Sequence, residues 1–196
     1  KENYNVFGID NINDYYSINQ KYKNLEILSK YKNFIFKKDD IVTTTIINEI
    51  KPEIVVNIAA MAGVRYSIEN PNIYMKVNIE GQVNLLKQSV DNNVKLFVYA
   101  SSSSVYGLNK KIPFSEEDKI SKFNSPYAAS KRSTELMAQL YNQLYGIKVI
   151  GLRFFTVYGP RGRPDMAPFK FLYNISNGKK FDKYGTGETF RDYTYI

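Results

Sequence analysis

Tyr127-Ala128-Ala129-Ser130-Lys131 sets a phenol and an ammonium four residues apart. On a helix this spacing brings both side chains to one face, one turn apart, where the ammonium stabilises a phenolate and equips the tyrosine as a general base. Ser125-Pro126, just upstream, are the residue types that cap and open such a helix. The spacing occurs a second time at Tyr106 and Lys110, but Gly107 and Asn109 predict a loop there, and a loop does not force the two groups together. Ser101-Ser102-Ser103-Ser104 is the other reactive stretch. Taken alone it is a polar turn; following the apolar run Leu96–Ala100 it sits at the carboxyl end of a strand, where loops of parallel sheets line a ligand crevice.

Composition removes other chemistries. The 196 residues include no histidine and no cysteine, which excludes Ser-His-Asp and Cys-His nucleophiles, Cys/His zinc sites, iron–sulfur clusters and disulfides. Catalysis therefore falls to Tyr, Lys, Ser, Thr or carboxylates, and no metal is expected. The chain is 43% apolar and 23% charged, ordinary for a globular protein. A net charge of +8 invites a nucleic-acid reading, but the lysines are scattered and no binding motif accompanies them, so no nucleic-acid partner is expected. No apolar run reaches the roughly 20 residues of a membrane span, and the polar start is unlike a signal peptide, which predicts a reduced cytoplasmic setting.

The elements that must position these residues are short. Val6–Ile9, Phe34–Phe36, Ile54–Ala59, Leu96–Ala100 and Val149–Leu152 read as buried strands, while Pro71 to about Val90 and Thr134–Tyr145 carry helical periodicity. Strand–helix alternation of this kind predicts an α/β fold with a parallel sheet. Asp10 closes the first run. Alone it is a turn or cap aspartate; at the end of the second strand of a dinucleotide-binding fold it would hydrogen-bond a ribose. The glycine fingerprint that belongs about 20 residues upstream of such an acid is absent from the nine residues that precede Asp10, and Gly185-Thr186-Gly187 does not replace it. After Gly159 a turn-rich basic loop, a helix near Ala167–Asn177 and that Gly-rich turn suggest a second region, giving domains 1–158 and 159–196.

Together these segments resemble the extended short-chain dehydrogenase/reductase family of nucleotide-sugar epimerases, most specifically UDP-glucuronate 4-epimerases. The matching stretches are Gly8–Tyr16, Ala59–Ser67, Tyr99–Gly107, Leu152–Pro160, Gly162–Met166 and Arg191–Ile196, in the family's order. The resemblance implies a Rossmann-like, doubly wound sheet holding NAD, with the start of a smaller substrate-binding region. It implies catalytic roles for Tyr127, Lys131 and Ser102. It assigns cofactor contacts to Asp10, Asn11, Asp14, Asp40, Ile41, Ala59, Ala60, Asn78 and Phe155 beside the catalytic pair, and substrate contacts to Arg65, Ser103, Ser104, Thr156, Arg163 and Arg191.

The implied reaction converts UDP-glucuronate to UDP-galacturonate through a 4-keto intermediate, in a homodimer. Set against the family, the chain reads as a fragment without the first strand, its Gly-rich turn and the rest of the substrate region. Related enzymes that eliminate water or CO2 place acids beside the catalytic hydroxyl; here those places are Ser103 and Ser104, which argues against a dehydratase. A UDP-glucose 4-epimerase, another nucleotide-sugar enzyme of the family and a non-catalytic fragment remain as alternatives.

Overall fold

The computed structural model describes residues 4–181, Thr186 and 192–196. In chain order the elements are β1 (Val6–Asp10), α1 (Ile18–Leu28), β2 (Phe34–Lys38), α2 (Ile46–Ile50), β3 (Ile54–Asn57), α3 (Val64–Glu69), α4 (Pro71–Tyr74), a π-helical turn (Met75–Glu80), α5 (Gly81–Asp91), β4 (Leu96–Ala100), a 3₁₀ turn (Ser103–Tyr106), α6 (Pro126–Tyr145), β5 (Lys148–Leu152), β6 (Thr156–Tyr158), α7 (Ala167–Ser176) and β7 (Tyr193–Tyr195). The fold is α/β, as the strand–helix alternation predicts, and Rossmann-like, as the family resemblance implies. No described helix is long and apolar enough to cross a membrane.

The chain divides into two compact units. One comprises Ile9–Asn11 and Lys37–Phe154. Its sheet runs β3-β4-β5, all parallel, with Ile54 opposite Leu96 and Leu96 opposite Lys148. The apolar faces of α2, α5 and α6 supply Ile47, Leu85, Leu86 and Ala138 to a core completed by Phe97 of β4 and by Ile147. Phe97 and Leu86 are fully enclosed, so each contributes roughly 1.5–3 kcal/mol of burial.

The other unit comprises Lys1–Gly8, Ile12–Phe36 and Phe155–Ile196. Within it β6 pairs parallel with β7, and the Tyr158 ring meets Tyr193 and Tyr195 edge-on. This division follows compactness; the boundary at 158/159 read from the sequence marks where a substrate-binding region would start and is a separate reading.

Several boundaries differ from the sequence reading, most by a single residue. β2 runs on to Lys38. β3 stops at Asn57 rather than Ala59, because the chain leaves the sheet and the backbone of Met61 is bonded by a side chain instead of a strand. The helix expected from Pro71 to about Val90 is present, but after its first turn the stretch Met75–Glu80 is π-helical. The extra residue in that stretch rotates Asn78 inward, where it is 3% exposed.

Candidate active site

The helix that carries the tyrosine–lysine pair begins as its sequence prescribes. Ser125 is the N-cap, its hydroxyl accepting the Ala128 N–H at 3.1 Å, and Pro126 opens the first turn. Tyr127 and Lys131 then fall on one face, half-buried and buried respectively. Lys131 is only 4% exposed, and its Nζ donates to the Ala100 carbonyl at 2.8 Å. Burial pulls its pKa down to about 8. That hydrogen bond ties the lysine to the last residue of β4, the middle strand, and the serines follow at once.

Ser102 caps the 3₁₀ turn, its Oγ accepting the Ser104 N–H at 3.1 Å. Ser103 N–H donates to Phe154 O at 2.8 Å, and Ser101 N–H to Leu152 O at 2.8 Å. The serine loop is therefore anchored to the chain after β5 rather than left as a free turn. Gly107 ends it with φ +55°, and a Cβ there would run into the Lys122 carbonyl, so the position requires glycine.

Asn78 connects this region to the loop after β3. Its Oδ1 accepts Met61 N–H at 2.8 Å, and its Nδ2 donates to Met61 O at 3.0 Å and to Ser130 Oγ at 2.9 Å. Ser130, fully enclosed, donates in turn to Tyr127 O at 2.8 Å. Tyr74, also enclosed, donates to the carbonyls of Ala62 and Gly63 and presents its ring to Tyr127 at 6.0 Å in an edge-on contact. Ala59 and Ala60 lie in this loop, and Arg65 is exposed on α3. Removing the Asn78 side chain leaves two buried backbone groups of Met61 unpaired. Asn78→Ala is expected to cost about 2–4 kcal/mol in urea unfolding; a loss below about 1 kcal/mol would show that the loop is held elsewhere.

A second set of side chains fixes the loop after β2. Asp10 is exposed at the end of β1, and its carbonyl accepts the Asp39 N–H at 3.2 Å. Asn11 Nδ2 donates to Asp40 Oδ2 at 2.9 Å, while Asp40 Oδ1 accepts Val42 N–H at 2.9 Å. Asn84 on α5 donates to the carbonyls of Ile41 and Thr44 at 2.9 and 3.1 Å. The Ile41 side chain is in the core, seated over Gly81, where an added Cβ would lie 2.7 Å from it. The Ile41 side chain is thus committed to packing and its carbonyl to Asn84.

Asp14, Phe155, Thr156 and Arg163 belong to the other unit. Asp14 is exposed, and Thr156 opens β6 opposite Tyr193. Arg163 forms a bidentate pair with Asp165 at 2.6 and 2.7 Å, its guanidinium 6.0 Å from the Tyr15 ring centre. Desolvation pushes the Asp165 carboxyl up, but the hydrogen bonds and charge of Arg163, with smaller contributions from its own backbone N–H and Tyr15, together lower its pKa. Arg191 and most of the Gly185-Thr186-Gly187 turn lie outside the described residues. The first unit thus gathers Ser102, Ser103, Ser104, Tyr127, Lys131 and Asn78 around the end of β4 and the start of α6.

Sequence reasoning missed Tyr74, Ser130, Glu135 and Arg153. Ser130 lies three residues from Tyr127, and Glu135 four residues beyond Lys131, on the same helix face. That spacing was the available signal.

A parallel α/β unit that collects a serine, a tyrosine and a buried lysine at the end of its middle strand has the layout of a short-chain dehydrogenase/reductase. The family model for the NAD dependent epimerase/dehydratase family matches residues 1–196, and the chain belongs to that family. It is 51% identical to an uncharacterised protein of Methanocaldococcus jannaschii, covering 100% of this chain and 61% of that protein. It is 42% identical to a probable UDP-glucuronate 4-epimerase of Rhizobium meliloti, covering 100% of this chain and 58% of that protein. The crystal structure of UDP-glucuronic acid 4-epimerase from Bacillus cereus, in complex with UDP-glucuronic acid and NAD, superposes with a TM-score of 0.91 at 33% identity over 98% of this chain and 61% of that one. The chain spans 58–61% of the length of these relatives.

Proposed function

We propose that the protein carrying this chain is an NAD-dependent 4-epimerase of a UDP-sugar, interconverting UDP-glucuronate and UDP-galacturonate in a reduced, cytoplasmic compartment. The observation that carries the reading is the buried ammonium of Lys131, one helical turn from Tyr127 and bonded to the strand end that launches Ser102. The donor set suits the cofactor: an exposed Asp10 carboxylate at a strand end for ribose hydroxyls, and a lysine that spends one N–H on Ala100 among the described residues. When bound, NAD supplies the hydride acceptor and donor at C4, so that the sugar passes through a 4-keto stage.

The residues of the chain handle the proton and the orientation. Tyr127 takes the proton of the sugar 4-hydroxyl and returns it after the ring has turned its other face. Lys131 holds the phenolate through its charge, and Ser102 hydrogen-bonds O4 in both states. Ser103 and Ser104 supply neutral donors on the same turn. The nearby carboxylate, Glu135, is committed to Ser101, Arg132 and Arg153, so it is not available to drive elimination. The exposed Leu136, Leu140 and Leu144, spaced four apart on α6, suit pairing of two copies into a homodimer.

Substrate choice rests on Arg163. A uronate offers a carboxylate where a hexose offers a neutral CH2OH, and a guanidinium such as that of Arg163, which the family resemblance assigns to the substrate, is the chemical partner a carboxylate prefers. A charge-assisted hydrogen bond contributes about 1.5–3 kcal/mol, or roughly 10- to 150-fold. The full-length protein is therefore expected to use UDP-glucuronate about 10- to 100-fold better than UDP-glucose by kcat/KM, and Arg163→Leu to erase most of that preference. Equal use of the two sugars by the unaltered protein would overturn the uronate assignment in favour of a UDP-glucose 4-epimerase.

A further inference from the structure

Glu135 is the most heavily bonded carboxylate in its unit, yet it is buried, its side chain 9% exposed. Its Oε1 accepts Ser101 Oγ at 2.6 Å and Arg153 Nε at 2.8 Å; its Oε2 accepts Arg132 Nη1 at 2.6 Å and Arg153 Nη2 at 2.9 Å. Burial alone would push this carboxyl up, but hydrogen bonds from Arg153, Ser101 and Arg132 bring it below the usual carboxylate range. It is ionised at neutral pH and has no capacity left for acid–base work. Its chemistry is spent on holding its neighbours.

Those neighbours frame the serine loop. Lys131 and Glu135, one turn apart, bind consecutive residues of the strand end, the carbonyl of Ala100 and the hydroxyl of Ser101. Ser101 itself is 3% exposed and immediately precedes Ser102. On the far side, the Arg153 guanidinium sits 4.9 Å above the ring of Tyr106, the last residue of the 3₁₀ turn. The carboxylate therefore reaches one end of the Ser102–Tyr106 segment through Ser101 and the other through Arg153. A structural ion pair needs only one arginine; the additional bond to Ser101 is what fastens this pair to the loop.

We infer that Glu135 is a positioning residue of the proposed 4-epimerase, using Ser101 and Arg153 to fix where Ser102 and the backbone of Ser103 and Ser104 stand relative to Tyr127 and Lys131. The inference rests on the epimerase reading for its kinetic consequence, but its geometric content does not. It makes Ser102 a hydroxyl that is preset before substrate arrives rather than recruited by it.

The test compares three full-length proteins: unaltered, Glu135→Gln, and the apolar pair Glu135→Leu with Arg153→Met. Replacing a buried ion pair by apolar residues of similar volume commonly preserves stability, so the double variant separates positioning from folding. With UDP-glucuronate, both variants are expected to lose about 10- to 100-fold in kcat with KM within about 3-fold, the double variant despite recovered thermal stability. Hydrogen exchange at the amides of Ser103 and Ser104 should quicken at least about 10-fold in both, while the amides of β5 stay protected. Recovery of kcat together with stability in the double variant would overturn the inference, as would unchanged exchange at Ser103 and Ser104. If the unaltered protein does not epimerise the sugar, the epimerase reading fails by itself, and the exchange result alone decides: faster exchange upholds the positioning role and unchanged exchange refutes it.

Discussion

Tyr127→Phe in the full-length protein is expected to lower kcat about 1,000-fold while NAD affinity changes by less than about 3-fold, since a positioned general base typically contributes 10²–10⁴-fold. Only the ionisable oxygen is deleted. The ring keeps its edge-on contact with Tyr74 at 6.0 Å, and the backbone carbonyl of residue 127 keeps its bond from Ser130. The variant should therefore unfold within about 1 kcal/mol of the unaltered protein. Tyr106→Phe is the control, because Tyr106 is buried, stacked on Phe114 at 4.6 Å and placed in the 3₁₀ turn rather than on α6. It should lose less than about 10-fold, a margin well below that of a general base. Near-normal turnover by Tyr127→Phe with collapse in Tyr106→Phe would assign the chemistry to the other tyrosine.

Lys131→Met should separate stability from activity in opposite directions. A folded pKa of about 8 lies below the ordinary value of 10.5, so between those two the unfolded chain binds a proton that the folded chain does not. Stability contributed by this site accordingly rises with pH from about 8 to 10.5, and below pH 8 the buried charge is a constant burden of about 3 kcal/mol. Methionine removes the burden but leaves the Ala100 carbonyl without its donor, which costs about 1–2 kcal/mol. The expected outcome is a variant about 1–2 kcal/mol more stable at pH 7 and at least about 100-fold slower. The difference in unfolding free energy between the two proteins should fall above pH 8 and reverse between about pH 9 and 10. A variant less stable at pH 7, with a difference that does not depend on pH, would show that the ammonium is not penalised by burial.

Much of this site was legible because local rules agree there. Ser125, Pro126, Tyr127 and Lys131 combine a cap, a helix opener and an i,i+4 pair, and each holds without reference to the rest of the chain. The strands Leu96–Ala100 and Val149–Leu152 were legible for the same reason, as short β-branched or aromatic runs. Glu135 was not. A carboxylate in a helix reads as a solvent-facing residue, and its partners Ser101 and Arg153 lie 34 and 18 residues away, separations that no periodicity encodes. The pairing of Arg163 with Asp165 also escaped notice, since a Gly- and Pro-rich loop gives no rule for which neighbours its side chains choose. The cofactor and substrate assignments came from resemblance, and the residue-level roles stand on the experiments above.

The π-helical turn at Met75–Glu80 has a consequence for how this segment tolerates change. One residue more than an α-helix needs in that turn means that α4 and α5 form a single rod with two phases, Tyr74 aimed toward α6 and Leu85 and Leu86 aimed into the core. Substitutions within the turn leave that phase shift intact. Loss of any one residue restores the regular spiral and swings everything on one side of it by about 100° relative to the other. The chain thus stores the aim of Asn78 as a count of residues as well as an identity, so that this segment is robust to spelling changes and intolerant of a change in length.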